Sequence, residues 1–211
     1  MEEFVLKNFS NLSVDQIKKI SALENLYSEW NAKINVISRK DMDNFYSHHV
    51  LHSMLIAKVI SFVPGTKIMD LGTGGGFPGI PLAILFPETE FLLVDSINKK
   101  LIVAQSIADE IGLNNVQTVH ARVEDITDSF DFVVSRAVTK LDVAWSWVQK
   151  NISKINKNEI TNGLLYLKGG DISAEMPKKV SIKKWNLDEF TKVPYFEEKS
   201  LFLITDSNRR N

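Results

Sequence analysis

The chain has 211 residues, 44% of them hydrophobic and 24% charged, the balance of an ordinary folded globular protein, which excludes disordered and fibrous classes. A net charge of −1 does not single out a nucleic-acid partner, and the lack of any cysteine excludes disulfides, thiolate metal centres, iron–sulfur clusters and a cysteine nucleophile. No apolar run reaches the ~20 residues that a bilayer-spanning helix needs, and residues 1–10 lack the basic-then-apolar order of a secretion signal, so the chain is expected in the cytoplasm without a membrane partner.

In chain order, Leu12-Ser13-Val14-Asp15-Gln16-Ile17 has the form of a capping box, with Ser13 as N-cap and Gln16 three residues on. Ile17, Ile20, Leu26, Tyr27, Trp30, Ile34 and Ile37 then recur at spacings of three and four, one buried helical stripe. A second helical stretch is predicted from about Asp43, with Leu51, Leu55, Val59 and Phe62 on one face, ending before Pro64-Gly65. Residues 1–63 are therefore expected to be a helical extension packed on a core formed by residues 64–211.

Beyond Gly65 the pattern changes to short apolar runs separated by helical segments, which implies parallel strands with crossovers. Strands are predicted at 67–71, 91–95, 116–120, 130–135, 164–168 and 201–205, and helices at 78–86, 98–111 and 141–151. The alternation describes an α/β fold with a doubly wound, mostly parallel sheet, and the last strands suit an antiparallel hairpin at its edge. From Lys150 to Lys184 there are eight lysines against three acids, so a basic face on an otherwise acidic body is expected, with Lys178, Lys179, Lys183 and Lys184 as candidates to hold the phosphates of a nucleic acid.

Asp70-Leu71-Gly72-Thr73-Gly74-Gly75-Gly76-Phe77-Pro78-Gly79 falls where the first strand ends and the first helix begins, the crevice where open parallel sheets bind ligands. Gly74, Gly76 and Gly79 satisfy a dinucleotide pattern, and Asp95 stands where a ribose-binding acid is expected. A second reading uses more of the residues. Asp70, Gly72, Gly74 and Gly76 form a D-x-G-x-G-x-G series, and S-adenosylmethionine has a charged amino-acid group and a sulfonium but no pyrophosphate, so an acid beside the loop favours it. The chain thus reads as a class I S-adenosylmethionine-dependent methyltransferase of Rossmann-like fold, with Asp70, Gly74 and Asp95 as cofactor residues. Asp95 also suits a helix N-cap, and Val123-Glu124 would face the adenine side of the crevice.

Acceptor chemistry narrows further. Methylation of pyrimidine C5 generally needs a cysteine. Exocyclic adenine amines usually go with an Asn/Asp-Pro-Pro-Tyr/Phe motif, where this chain has Ser135-Arg136-Ala137-Val138. Guanine N7 carries no proton and asks for positioning rather than a base. His48, His49 and His52 do not complete a zinc set, so no metal is expected.

The loop from Asp70 to Ile84 resembles that of the ribosomal RNA small subunit methyltransferase G family, also called glucose-inhibited division protein B. The resemblance extends through Trp30-Asn31, Ile34-Asn35, Leu93-Val94-Asp95-Ser96, Lys99-Lys100, Arg122-Val123-Glu124, Ser135-Arg136-Ala137 and Leu167-Lys168-Gly169. It implies methylation of guanine N7 in 16S ribosomal RNA, free or in the small subunit, with S-adenosylhomocysteine as product and no obligate protein partner. By the same resemblance Gly72, Phe77, Val123, Glu124 and Arg136 contact the cofactor, Arg136 is the candidate positioning residue, and Lys168 meets RNA phosphate. Two departures stand out: His52 replaces a family acid, and the last strand closes on Asp206, which leaves Arg209 and Arg210 as RNA contacts. The alternatives are a methyltransferase of the same fold with another acceptor, a non-catalytic nucleotide-binding regulatory module, and an NAD-dependent oxidoreductase.

Overall fold

The computed structural model describes residues 3–136 and 138–207, with Arg39 in its backbone only; Arg209 and Arg210 lie outside the described residues. A central sheet contains β1 (Lys67–Leu71), β2 (Glu90–Asp95), β3 (Val116–His120), β4 (Phe132–Arg136), β5 (Gly163–Gly169), β6 (Val180–Asn186) and β7 (Lys199–Asp206). Their order is β3-β2-β1-β4-β5-β7-β6, with β1 to β5 parallel and β7 antiparallel to both its neighbours. The helices are α1 (Glu3–Asn8), α2 (Val14–Asn31), α3 (Arg39–Met42), α4 (His52–Met54), α5 (Gly79–Leu85), α6 (Asn98–Glu110) and α7 (Leu141–Val148).

The parallel strands read as nearly unbroken apolar runs because both faces of the sheet are covered. Ile68, Leu93, Phe132, Val134, Leu165 and Leu167 face one way, into a cluster with buried residues of α2, α5 and α6. Met69, Leu71, Val133, Leu164 and Tyr166, their neighbours in sequence, face the other way, against Leu141, Ala144, Trp145 and Val148 of α7. Side chains from the first 62 residues belong to the first cluster, so the N-terminal helices and the sheet share one core.

The capping box at Ser13 is present: the Gln16 N–H donates to Ser13 Oγ (3.2 Å) and the Ser13 N–H to Gln16 Oε1 (2.9 Å). Gln16 Nε2 also donates to the Ile84 and Leu85 carbonyls (both 3.1 Å), tying the start of α2 to the end of α5. The stripe reaches Ile34 and Ile37, but α2 stops at Asn31. The Asn31 side chain closes the next loop, accepting from the Val36 and Ile37 amides (2.8 and 3.0 Å) and donating to the Ile37 carbonyl (2.8 Å).

The second helix predicted through residue 62 is instead a sequence of short pieces. A π-helical segment, Tyr46–Leu51, precedes α4, and a 3-10 turn follows at Leu55–Lys58. Phe62 lies beyond them and packs by its ring on Phe86 and Phe132 (centroids 4.9 and 5.4 Å). The sequence also implies six strands where the described residues form seven. The extra one, β6, hides in the lysine-rich stretch: Lys183-Lys184 blurs the alternation of Val180, Ile182 and Trp185, as is common in edge strands that must not pair further. Among the described residues no helix is long and apolar enough to cross a membrane.

Candidate active site

The glycine loop leaves β1 and is pinned to β2 twice. The Thr73 N–H donates to the Val94 carbonyl (3.1 Å), and the Gly74 N–H donates to Asp95 Oδ2 (2.8 Å). Gly72 and Gly74 have φ of +64° and +57°, the left-handed region that glycine adopts without strain. At Gly72 space is also limiting, since a Cβ there would sit 2.4 Å from Val138 Cγ2. Val138 follows β4 in a loop held by Tyr166, whose hydroxyl donates to the Thr139 carbonyl (2.6 Å) and accepts from its amide (3.2 Å).

Beside this loop, over the ends of β1, β2 and β3, lies a crevice of about 440 Å³. Gly72, Gly74, Asp95, Val123 and Glu124 all line it, five of the expected cofactor residues, together with apolar walls from Leu71, Ile97, Val138 and Trp147. Asp95 Oδ1 accepts from the Ile97 amide (2.8 Å), so each carboxylate oxygen holds one backbone N–H and keeps a further lone pair for a ligand hydroxyl. The N-cap position of α6 is Ile97, so Asp95 does not cap the helix itself but holds the turn before it, a role compatible with the ribose reading. The volume suits a small-molecule cofactor, and the paired carboxylate beside a glycine-lined wall fits a nucleoside.

Asp70 does something different from the direct contact expected of it. It is completely buried and does not line the crevice; its Oδ2 accepts from Thr73 Oγ1 and the Gly79 amide (both 2.7 Å), which shapes the loop from beneath. Burial pushes its carboxyl up to about 7, against the pull of those two hydrogen bonds. The loop has a second support that the sequence pattern does not reveal. Buried Tyr27 of α2 donates its hydroxyl to the Gly75 carbonyl (2.6 Å), and Val36, placed by Asn31, packs over Gly75.

Phe77 and Arg136 also lie outside the crevice. The Phe77 ring packs on Tyr27 (4.8 Å) and His49 (5.1 Å), and the Arg136 guanidinium rests over it at 5.3 Å. Arg136 points into a second pocket, of about 280 Å³, over the ends of β4, β5 and β7. There it donates to the His48 carbonyl and to His49 Nδ1, both at 3.0 Å. The π-helical segment, a distortion often found at functional sites, is what presents these two groups. His48 itself pairs with Asp41 (3.1 Å) and stacks on Tyr195 (3.8 Å). Burial, and then the charge of Arg136, hold His49 down at about 3 and His52 well below its usual range.

Lys168 also lines this pocket, but its ammonium is held by Glu175, which in addition accepts from the Leu141 amide (3.0 Å) at the start of α7. It is therefore neither a free phosphate ligand nor a solvated strand end. The four lysines of the basic stretch do not form one patch near the site. Lys183 and Lys184 are successive in β6, facing opposite sides of the sheet, over Trp185 and Phe202 respectively. Val180 pairs with Asp206 at the end of β7 remote from Lys199, so Lys178 and Lys179 lie at the end of the sheet away from the crevice. Sequence reasoning missed Tyr27, Glu175, Tyr195 and Lys199, because none stands in a recognisable motif.

The strand order, the glycine loop after β1 and the acid ending β2 define the class I methyltransferase fold. Solved structures share it: a SAM-dependent methyltransferase from Aquifex aeolicus matches with a TM-score of 0.53 at 11% identity, over 80% of this chain and 98% of that one. A mutant of MtNAS in complex with S-adenosylmethionine matches with a TM-score of 0.56 at 12% identity, over 90% and 76%. The chain belongs to the GidB family, rRNA small subunit methyltransferase G, whose profile matches residues 16–200. Proteins named Ribosomal RNA small subunit methyltransferase G from Bacteroides thetaiotaomicron and Cytophaga hutchinsonii are 56% and 50% identical to it, each over 200 residues, covering 94% of this chain and 97% of each relative.

Proposed function

We propose that this chain transfers a methyl group from S-adenosylmethionine to N7 of a guanine in 16S ribosomal RNA, in the cytoplasm, with S-adenosylhomocysteine as the second product. The observation that carries this reading is the crevice beside Gly72 and Gly74, with the Asp95 carboxylate at its wall, in a chain of this family. Asp95 would accept from the ribose hydroxyls, the Gly72–Gly74 backbone would border the amino-acid part, and Val123-Glu124 would flank the adenine. When bound, the cofactor supplies a methyl group made electrophilic by its sulfonium.

The chain's own contribution is positioning. Burial and the charge of Arg136 make His49 and His52 poor bases, and Asp70 is buried under the loop, so none of these three is suited to remove a proton. That suits N7, which has a lone pair and no proton to lose. Arg136, braced on Phe77 and the His48 carbonyl, is the group we assign to orienting the acceptor at the boundary between the two cavities. Residues 1–63 act in this reading as a helical extension that braces the loop of the 64–211 core.

Tritium transfer from labelled S-adenosylmethionine into 16S RNA or small subunits lacking the modification, followed by nucleoside analysis, tests the assignment. Label in 7-methylguanosine is the expected result. Label in another nucleoside would replace the acceptor atom, and cofactor binding without label in any RNA would remove the catalytic reading.

A further inference from the structure

The second pocket holds more positive charge than the protein neutralises. Among the described residues, neither Arg136 nor Lys199 has a carboxylate within 4.0 Å; the acids nearby are bonded elsewhere, Asp41 with Ser38 and His48, Asp70 with Thr73 and Gly79, and Glu175 with Lys168, and Asp70 and Asp41 act on Arg136 only at longer range. Lys199 instead lies over the Tyr195 ring at 5.0 Å. Arg136 is buried enough that even its pKa is lowered, which marks a cation short of a counter-ion. In isolation such a burial is costly, and a site that retains it is prepared for an anion.

Hydrogen-bond polarity points the same way. A guanidinium only donates, so His49 Nδ1, 3.0 Å from it, must accept, and the proton of this neutral ring is on Nε2. Nε2 is buried without a partner. His52, 4% exposed, has no hydrogen bond of normal geometry at either nitrogen, although the His48 carbonyl pulls weakly on its proton. Two of the five N–H groups of Arg136 are engaged by His48 and His49. What is left unengaged around the pocket is chiefly donors: Arg136, Lys199 and the Nε2–H of His49. The N7/O6 edge of guanine also presents only acceptors, but a phosphate adds the negative charge that Arg136 and Lys199 lack.

We propose that this pocket is an anion subsite for a phosphodiester of the RNA acceptor, held by Arg136 and Lys199. The assignment rests on the RNA-methylation reading above. It places one phosphate of the acceptor strand at the ends of β4, β5 and β7, next to the cofactor crevice, so that the strand is registered before the base enters. A phosphate there also gives Arg136 a counter-ion, which the neighbouring His52 does not supply.

The test uses the full chain and two variants, Lys199→Gln and His52→Asp, the latter putting a carboxylate beside Arg136. Inorganic phosphate, titrated calorimetrically against chloride of equal ionic strength, is expected to bind saturably to the wild type, about tenfold more weakly to Lys199→Gln, and not measurably to His52→Asp. Phosphate is also expected to inhibit methyl transfer competitively with RNA and not with S-adenosylmethionine, and Lys199→Gln to lower the salt slope of RNA binding by about one. Phosphate affinity equal in wild type and Lys199→Gln overturns the subsite, and that variant decides the matter if His52→Asp does not fold. Variant-dependent phosphate binding without competition against RNA overturns its assignment to the acceptor strand. If no RNA is methylated at all, the enzymatic reading fails, while the direct phosphate titration still decides the subsite.

Discussion

The crevice beside the glycine loop and the pocket behind Arg136 open at the same end of the sheet, on either side of the junction between β1 and β4, but they are built differently. The crevice is made mostly from backbone and from residues at the ends of three successive strands, and its one central acid is satisfied by two amides. The pocket gathers side chains from the π-helical segment, β4, β5, Tyr195 and β7, and among the described residues it leaves Arg136 and Lys199 without a carboxylate within 4.0 Å and His49 Nε2 and both His52 nitrogens without a hydrogen bond of normal geometry. In the function proposed above, a cofactor common to many methyltransferases would meet the part that is locally determined, and the acceptor, which differs from enzyme to enzyme, would meet the part that only long-range packing assembles.

Breaking the crevice is expected to have the largest effect. Asp95→Ala orphans the Gly74 and Ile97 amides and removes the ribose acceptor; cofactor affinity should fall on the order of 100-fold, measured by equilibrium dialysis, with a lowered melting temperature. Unchanged affinity would place the ribose elsewhere.

The two regions should also respond to pH with opposite sign. Asp70 titrates at about 7 in the fold against its ordinary 3.8, so the stability it contributes is complete below about pH 4 and lost as pH rises to about 7. His49 titrates at about 3 against 6.5, so its contribution is complete above about pH 6.5 and lost as pH falls toward 3; His52 is shifted the same way. Asp70→Asn should therefore steepen the loss of stability on acidification from pH 7 to 4, and His49→Gln should flatten it. Urea midpoints across that range check both, and identical profiles would mean that neither group titrates in the fold as described.

Smaller still is the expected effect of Tyr27→Phe, which keeps the ring packing but deletes the bond to the Gly75 carbonyl, a loss of about 1 kcal/mol in stability and a few-fold in cofactor affinity. Equal cofactor affinity would show that the N-terminal helices hold the loop by packing alone. The least effect is expected at the far end of the sheet. Lys178→Gln with Lys179→Gln should alter the salt slope of RNA binding less than Lys183→Gln with Lys184→Gln, because the first pair lies away from both cavities. Equal slopes would mean that RNA runs along the whole β6 edge.

Much of the fold was legible because its signals are local. The capping box at Ser13, the strand beginning at Lys67 and the helix beginning at Asn98 follow from patterns a few residues long. β6 escaped because an edge strand is half exposed and its lysines blunt the alternation. The helix expected through Phe62 failed because an apolar stripe records burial and not helicity, and Phe62 is buried as part of a connection. Within the site, Asp95 and Val123-Glu124 were readable from their places at strand ends. The actual work of Asp70 was not, since whether a carboxylate faces a ligand or the underside of its own loop depends on which sheet face it occupies.

By itself the sequence determined the loop, the parallel sheet and the chemistry that a cysteine-free chain cannot perform, since each depends on residue type or on neighbours within a strand, turn or helix. Only the tertiary structure decided that Tyr27 supports the loop, that Lys168 is neutralised by Glu175, and that Arg136 is buried among neutral histidines. Charge state and hydrogen-bond polarity are properties of an environment, and that environment is made by residues far apart in the chain.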